Sequence, residues 1–177
     1  MSRTILHSDL NGFYASVEIM LDPTLSGKAV AVCGSTQERH GIVLAKSEPA
    51  KKAGVKTGMA NWEALRLCPE LIIRNPTFGM YVKYSRLARE IYRRYTDRVE
   101  PFGMDECWLD LTGCAGCGDG EAVAHQIRET VKAELGLTVS IGVSFNKIFS
   151  KLGSDMKKPD DVTVISPANY KQMVWPL

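Results

Sequence analysis

The chain has 177 residues, enough for one globular domain or a small domain carrying a sizeable insertion. Hydrophobic residues make up 45% and charged residues 24%, and no apolar run nears the roughly 20 residues that span a bilayer, so a membrane protein is not expected. With 22 basic and 20 acidic side chains, the net charge of +2 is too balanced to announce a nucleic-acid protein by itself.

The opening "MSRTILHSDL" lacks the long apolar stretch and small-residue cleavage site of a signal peptide, and a cytoplasmic location is expected. Five cysteines, an odd number at irregular spacing, argue against a disulfide framework and fit a reducing compartment. Cys114 and Cys117 form one C-x-x-C. A zinc site there, with His125 on the next helix, stands against the plainer reading of "GCAGCGDG" as a Gly-rich turn.

"RTILHSD" reads as a strand ending in Asp9, and "NGFYASVEIMLD" as a helix with Phe13 and Val17 on one stripe. "KAVAVC" and "GIVLAK" read as strands, "EPAKKAG" as a short helix with Pro49 in its first turn and Gly54 past its end, "NWEALRLC" as a helix and "LIIRN" as a strand. From Thr77 to Asp97, Met80, Tyr84, Leu87, Ile91 and Tyr95 recur at threes and fours and predict a long half-buried helix. "RVEPFG" and "CWLDL" flank a tight turn, which puts Met104, Asp105 and Glu106 at a hairpin bend. "EAVAHQIRETVKAEL" predicts a helix with Val123, Ile127, Val131 and Leu135 inward and Gly136 as its stop. "LTVSIGVS" and "VTVIS" add strands, and the last residues end without a recognisable stop. The order is the split βαββαβ plan, an α+β fold: a ferredoxin-like antiparallel sheet with two helices on one face and a small α/β insertion.

That plan makes the first strand and the central hairpin neighbours, so Asp9, Asp105 and Glu106 can converge. Carboxylates packed together repel unless a divalent cation neutralises them, and hard oxygen ligands suit Mg²⁺ completed by substrate phosphates. A pair of such ions, roughly 3.5–4 Å apart, is the clamp of in-line phosphoryl transfer. Acidic pairs are also common at exposed hairpin turns, and an aspartate after a strand is a favoured helix cap. Spacing alone leaves both readings open. Asp110 alternates with the apolar residues of "CWLDL" and reads as a solvent-side or capping carboxylate. Lys83, Arg86, Arg89, Arg93, Arg94 and Arg98 make the long helix basic, which reads as a solvated face before it reads as a phosphate contact.

"HSDLNGFYASVE" (7–18), "EPAKKAGVKTGM" (48–59), "DECWLDLTG" (105–113) and "SIGVSFNKIFSKLGSDMKKP" (140–159) resemble, in order, successive signatures of the Y-family, or translesion, DNA polymerases. The resemblance implies template-directed nucleotidyl transfer from a dNTP to a primer 3′-OH in damage bypass. It implies a palm domain at 1–10 and 77–166, a fingers domain at 11–76, and the start of a missing thumb at 167–177. By motif match, Asp9, Asp105 and Glu106 would be catalytic and would bind two Mg²⁺ ions, which Mn²⁺ could replace, with the Leu10 carbonyl as a further ligand. Phe13 and Tyr14 match the aromatic pair at the nucleotide, and Tyr14 matches the steric gate against ribose. Lys158 and Lys51 match basic residues on the triphosphate. Primer–template DNA is the implied partner, together with a sliding clamp bound through the remainder of a full-length protein. A piece lacking thumb and little finger is expected to be weak or inactive.

The chain departs from the family at the fingers, where Glu48 and Lys51 replace a frequent tyrosine and arginine; Lys51 keeps the charge but loses the bidentate fork. Glu48, acceptor only, is expected to point away from phosphate, leaving Lys46 or Lys52 to supply donors. Two other readings are a nucleotide cyclase on a similar palm, and a non-catalytic nucleic-acid-binding module reading single strands through Trp108.

Overall fold

The computed structural model describes residues 3–34, 41–114 and 119–177. In chain order its elements are β1 (Ile5–Leu10), α1 (Phe13–Leu21), β2 (Val30–Cys33), β3 (Val43–Lys46), α2 (Glu48–Lys52), α3 (Asn61–Leu67), β4 (Ile72–Arg74), α4 (Phe78–Arg93), β5 (Val99–Phe102), β6 (Glu106–Asp110), α5 (Gly120–Leu135), β7 (Val139–Ser144), α6 (Lys147–Met156), β8 (Val162–Ile165) and α7 (Tyr170–Val174). They gather into two compact units, Met1–Asn11 with Lys83–Leu177, and Gly12–Val82.

The first unit is built on a five-stranded sheet in the order β5-β6-β1-β7-β8. β1 runs antiparallel to both β6 and β7, as the βαββαβ plan requires, and β8 adds a parallel edge strand beside β7. One face carries α4 and α5: Ser8 Oγ donates to the Tyr92 hydroxyl at 3.0 Å, and Gly120 opens α5 against Thr4, Leu6 and Val143. The opposite face carries α6, where Ser154 Oγ lies 2.8 Å from His7 Nδ1. Covered on both sides, β1 and β7 are buried at every residue. β6 alternates instead, with Cys107 and Leu109 buried and Glu106, Trp108 and Asp110 half-buried, so its α6-side face opens toward solvent.

α5 follows the sequence reading: Asp119 caps it, Val123, Ile127, Val131 and Leu135 are buried, and Gly136 ends it at φ 65°. The buried stripe of α4 differs from the expected one. Tyr81, Ser85, Ala88, Ile91 and Tyr92 are buried, while Met80, Tyr84, Leu87 and Tyr95 are intermediate. The expected stripe missed the large, fully buried Tyr81 and Tyr92 as well as the small Ser85 and Ala88.

The second unit is a three-stranded sheet, β3-β2-β4, with β2 antiparallel to β3 and parallel to β4. Its core is made of small side chains, including Ala31, Cys33, Val43, Ala50, Val55, Ala64 and Cys68. Ser47 caps α2 by accepting from Ala50 N and also donates to the Lys28 carbonyl, tying helix to sheet.

Cys33, Cys68 and Cys107 are buried free thiols. Cys114 is disulfide-bonded, and Cys117 of the C-x-x-C lies outside the described residues. Among the described residues no helix is long and apolar enough to cross a membrane.

Candidate active site

Antiparallel register sets Asp9, near the end of β1, directly opposite Glu106, the first residue of β6. Asp105 sits in the adjoining turn, and its carbonyl accepts from Leu10 N at 3.0 Å, joining the hairpin bend to the end of β1. Gly103 supplies the positive φ of 73° the bend needs. α4 holds the same bend from behind: Ser85 Oγ donates to the Met104 carbonyl, and Arg89 donates to the Gly103 carbonyl at 2.7 Å. Part of the helix's basic face thus braces the acidic turn. Arg94 likewise forms a fork on Glu134 at 2.6 and 2.8 Å, and Arg98 donates to the Thr112 carbonyl at 3.2 Å. Asp110 caps its own turn, accepting from Thr112 N at 2.8 Å, as the sequence suggested.

Burial pushes the Asp9 carboxyl up to about 6, against the attraction of Lys158, whose Nζ lies 2.6 Å away. Burial also raises Asp105, opposed by a hydrogen bond from its own amide. Lys158 is shared with Asp155 at 2.8 Å. Burial pulls its ammonium down, but the two carboxylates outweigh that and leave its pKa above the usual value. Both pKa values move upward, which favours the charged lysine but disfavours the charged carboxylate; Asp9, with the more buried side chain, bears the desolvation. Glu106 meets Lys151, whose Nζ reaches both carboxylate oxygens at 2.6 and 2.7 Å. Beneath them His7 is fully buried and, through burial first and Lys151 second, lowered to about 4; its Nε2 has no hydrogen-bond partner among the described residues and lies 3.8 Å from Glu106.

Among the described residues no three His, Cys, Asp or Glu side chains are gathered into a ready-made metal cage. What the structure does place on one sheet edge is two carboxylates in direct register and a third in the next turn. All are hard oxygen donors, and the charges of Asp9 and Glu106 are already answered by lysine cations. Such a set fits a divalent cation completed by substrate oxygens.

The other sequence-derived residues lie in the second unit. Gly12, at φ 52°, turns the chain into α1, and a Cβ there would lie 3.0 Å from the Lys46 carbonyl. Phe13 is buried, whereas Tyr14 is half-buried and stacked on Tyr81 at 4.2 Å and 11°. Tyr81 is fixed in turn: its hydroxyl donates to buried Glu18 at 2.5 Å and accepts from Thr77 N at 3.0 Å. Lys51, half-exposed on α2, pairs with Glu48 at 3.4 Å, and Lys46 donates to Thr57 Oγ1 at 3.0 Å. Glu48 therefore turns toward its own helix's cation.

Residues 8–155 match the impB/mucB/samB family. The chain belongs to that family. DNA polymerase IV of Acetivibrio thermocellus is 57% identical over all of this chain and 45% of its own length. Among solved structures, a Y-family DNA polymerase chimera has a TM-score of 0.92 at 28% identity, covering 98% of this chain and 52% of that one. An insertion ternary complex of Dbh DNA polymerase has a TM-score of 0.91 at 29% identity, over 98% and 52%. The chain spans about half the length of the family members it matches, and the resemblance to Y-family polymerases is borne out at the level of the family and the fold. Lys151, His7 and the turn-bracing Ser85 and Arg89 were missed by sequence reasoning; a histidine two residues before Asp9 on the same strand face was the one available signal for His7.

Proposed function

We propose that this chain is the palm and fingers part of a translesion DNA polymerase that adds dNTPs to a primer 3′-OH under template direction. The observation that carries this is the register pairing of Asp9 with Glu106 beside the Asp105 turn. The first unit corresponds to the palm and the second to the fingers, with residues 167–177 leading into a thumb; a sliding clamp would bind elsewhere in a full-length protein.

Asp9, Asp105, Glu106 and the Leu10 carbonyl would hold two Mg²⁺ ions, or Mn²⁺ in their place. Bound there, the ions supply activation of the 3′-OH and charge neutralisation on the departing pyrophosphate. The protein's own groups do the rest. The sheet fixes the carboxylates, so little reorganisation is needed when substrate arrives. Lys158, shared between Asp9 and Asp155, can turn to the triphosphate while keeping one carboxylate partner. By the family resemblance, Lys51 would supply a second cation to the triphosphate, and Phe13 and Tyr14 would approach the nucleotide. Tyr14, held flat on Tyr81, selects deoxyribose by leaving no room for a 2′-OH.

Primer extension with Mg²⁺ and dNTPs, at enzyme in excess over primer–template, tests the reading. Asp105→Ala should lower incorporation about 100-fold or more, and Tyr14→Ala should admit ribonucleotides. Incorporation indifferent to Asp105→Ala, or a cyclic product from ATP or GTP, would overturn it.

A further inference from the structure

Asp9 and Glu106 are each neutralised by a lysine, but the two pairs are built differently. Lys158 rests on two carboxylates, Asp9 at 2.6 Å and Asp155 at 2.8 Å, so it can release the first and stay neutralised by the second. Lys151, inside α6, has Glu106 as its one carboxylate within ion-pair distance among the described residues. It grips both oxygens of that carboxylate, and its side chain is only 35% exposed. The backbone beneath it cannot retreat, because α6 lies directly on β7: a Cβ at Gly142 would fall 1.9 Å from the Ser150 carbonyl. Any adjustment is left to the lysine's own stem. One further feature faces it. The Phe102 ring, 49% exposed, lies 5.0 Å below the ammonium. One turn back on α6, Lys147 is held over Trp108 at 4.4 Å and paired with Glu100 at 2.6 Å, so the two cations form a row beside β6.

We propose that Lys151 is a charge lock on Glu106, which competes with a divalent cation for that carboxylate and opens when an anionic phosphodiester of the primer strand receives the freed ammonium. The inference rests on the polymerase reading above. A cation arriving at Glu106 without DNA leaves a half-buried ammonium with no counter-anion, which opposes binding. When DNA is present, a backbone phosphate accepts the ammonium, and a row of two lysines one turn apart suits a polyanion. Metal and primer strand therefore bind cooperatively at this carboxylate, and by linkage each raises the other's affinity by the same factor.

The test is a Mn²⁺ titration followed by electron paramagnetic resonance on this chain at low ionic strength, with and without a primer–template oligonucleotide. The chains compared are wild type, Lys151→Met and Lys151→Arg, each first checked for folding by thermal melting. Without DNA, Lys151→Met should bind Mn²⁺ at least about fivefold more tightly than wild type, and DNA should then add little. Lys151→Arg, which keeps the cation, should retain the gain that DNA gives wild type. Unchanged or weaker Mn²⁺ affinity in Lys151→Met, or a DNA effect that persists in it, would overturn the lock. A Mn²⁺ site in wild type insensitive to Asp105→Asn, or no site at all, would instead overturn the polymerase reading and the lock with it.

Discussion

A carboxylate side chain with only 10% of its surface exposed is ordinarily a liability, and at Asp9 a single ammonium at 2.6 Å offsets it only in part. Its folded-state pKa of about 6 stands above the ordinary 3.8. The stabilising share of this group is thus present below about pH 4 and is lost as the pH rises through about 6, where the charged form burdens the fold. Replacing Asp9 with Asn should stabilise the metal-free chain at pH 7.5 in chelator by about 1–2 kcal/mol, about 3–6 °C in melting temperature, while abolishing metal-dependent incorporation. The gain should shrink as the pH is lowered toward 5. A variant that melts below wild type at pH 7.5 would show that the Lys158 pair dominates burial. The acidic residues themselves were legible in the sequence because strand ends and hairpin bends announce themselves locally. Their pairing with lysines was not legible: the motif marks Lys158 as a triphosphate contact and does not single out Lys151, since Lys151 lies 45 residues from Glu106 and Lys158 lies 149 from Asp9 along the chain.

α6 carries Lys151 and leads into Lys158 just past its end, and its periodicity did not reveal it in the sequence. Its buried residues are Ser150, Gly153 and Ser154, a small polar face with no apolar signature, while Ile148 is 72% exposed. Helices recognised by their apolar stripe, such as α5, came out close to their observed bounds and with the right core residues; α4 was expected to run to Asp97 but ends at Arg93, and its stripe was displaced. What α6 lacks in side-chain apolarity it makes up in proximity. Gly142 and Gly153 face each other across the interface, with Gly142 Cα 3.2 Å from where a Gly153 Cβ would be. Gly142→Ala should therefore force α6 away from β7 and destabilise the fold by about 3 kcal/mol or more, lowering the melting temperature by about 6–12 °C. Because the displaced helix carries Lys151 and leads into Lys158, incorporation should fall further than unfolding alone explains when measured well below the melting temperature. A melting temperature within 2 °C of wild type, a tolerance of about half a kcal/mol, would mean the sheet can yield there.

Across the whole molecule, charge is nearly balanced at +2, and many of the cations are already engaged within the first unit. Arg94 is forked on Glu134, Lys147 rests on Glu100, Lys132 pairs with Asp160 at 2.6 Å, and Arg128 pairs with Glu129 at 2.6 Å. Each such pair must be broken, or left unused, before a phosphate can replace the carboxylate, so few counterions are released when DNA binds. Duplex binding loses about 0.9 in the slope of log K against log salt for every phosphate neutralised. The chain should therefore bind primer–template with a slope no steeper than about −3 and with micromolar or weaker affinity at physiological salt, the range of non-specific contact. Synthesis should then be distributive, with one nucleotide added per encounter and an absolute dependence on enzyme excess. Fluorescence anisotropy across a salt series reads the slope, and extension in the presence of a DNA trap reads the processivity. A slope steeper than about −5, or several nucleotides added in one encounter, would mean that this half of the family's length already grips the duplex through cations whose internal partners let go.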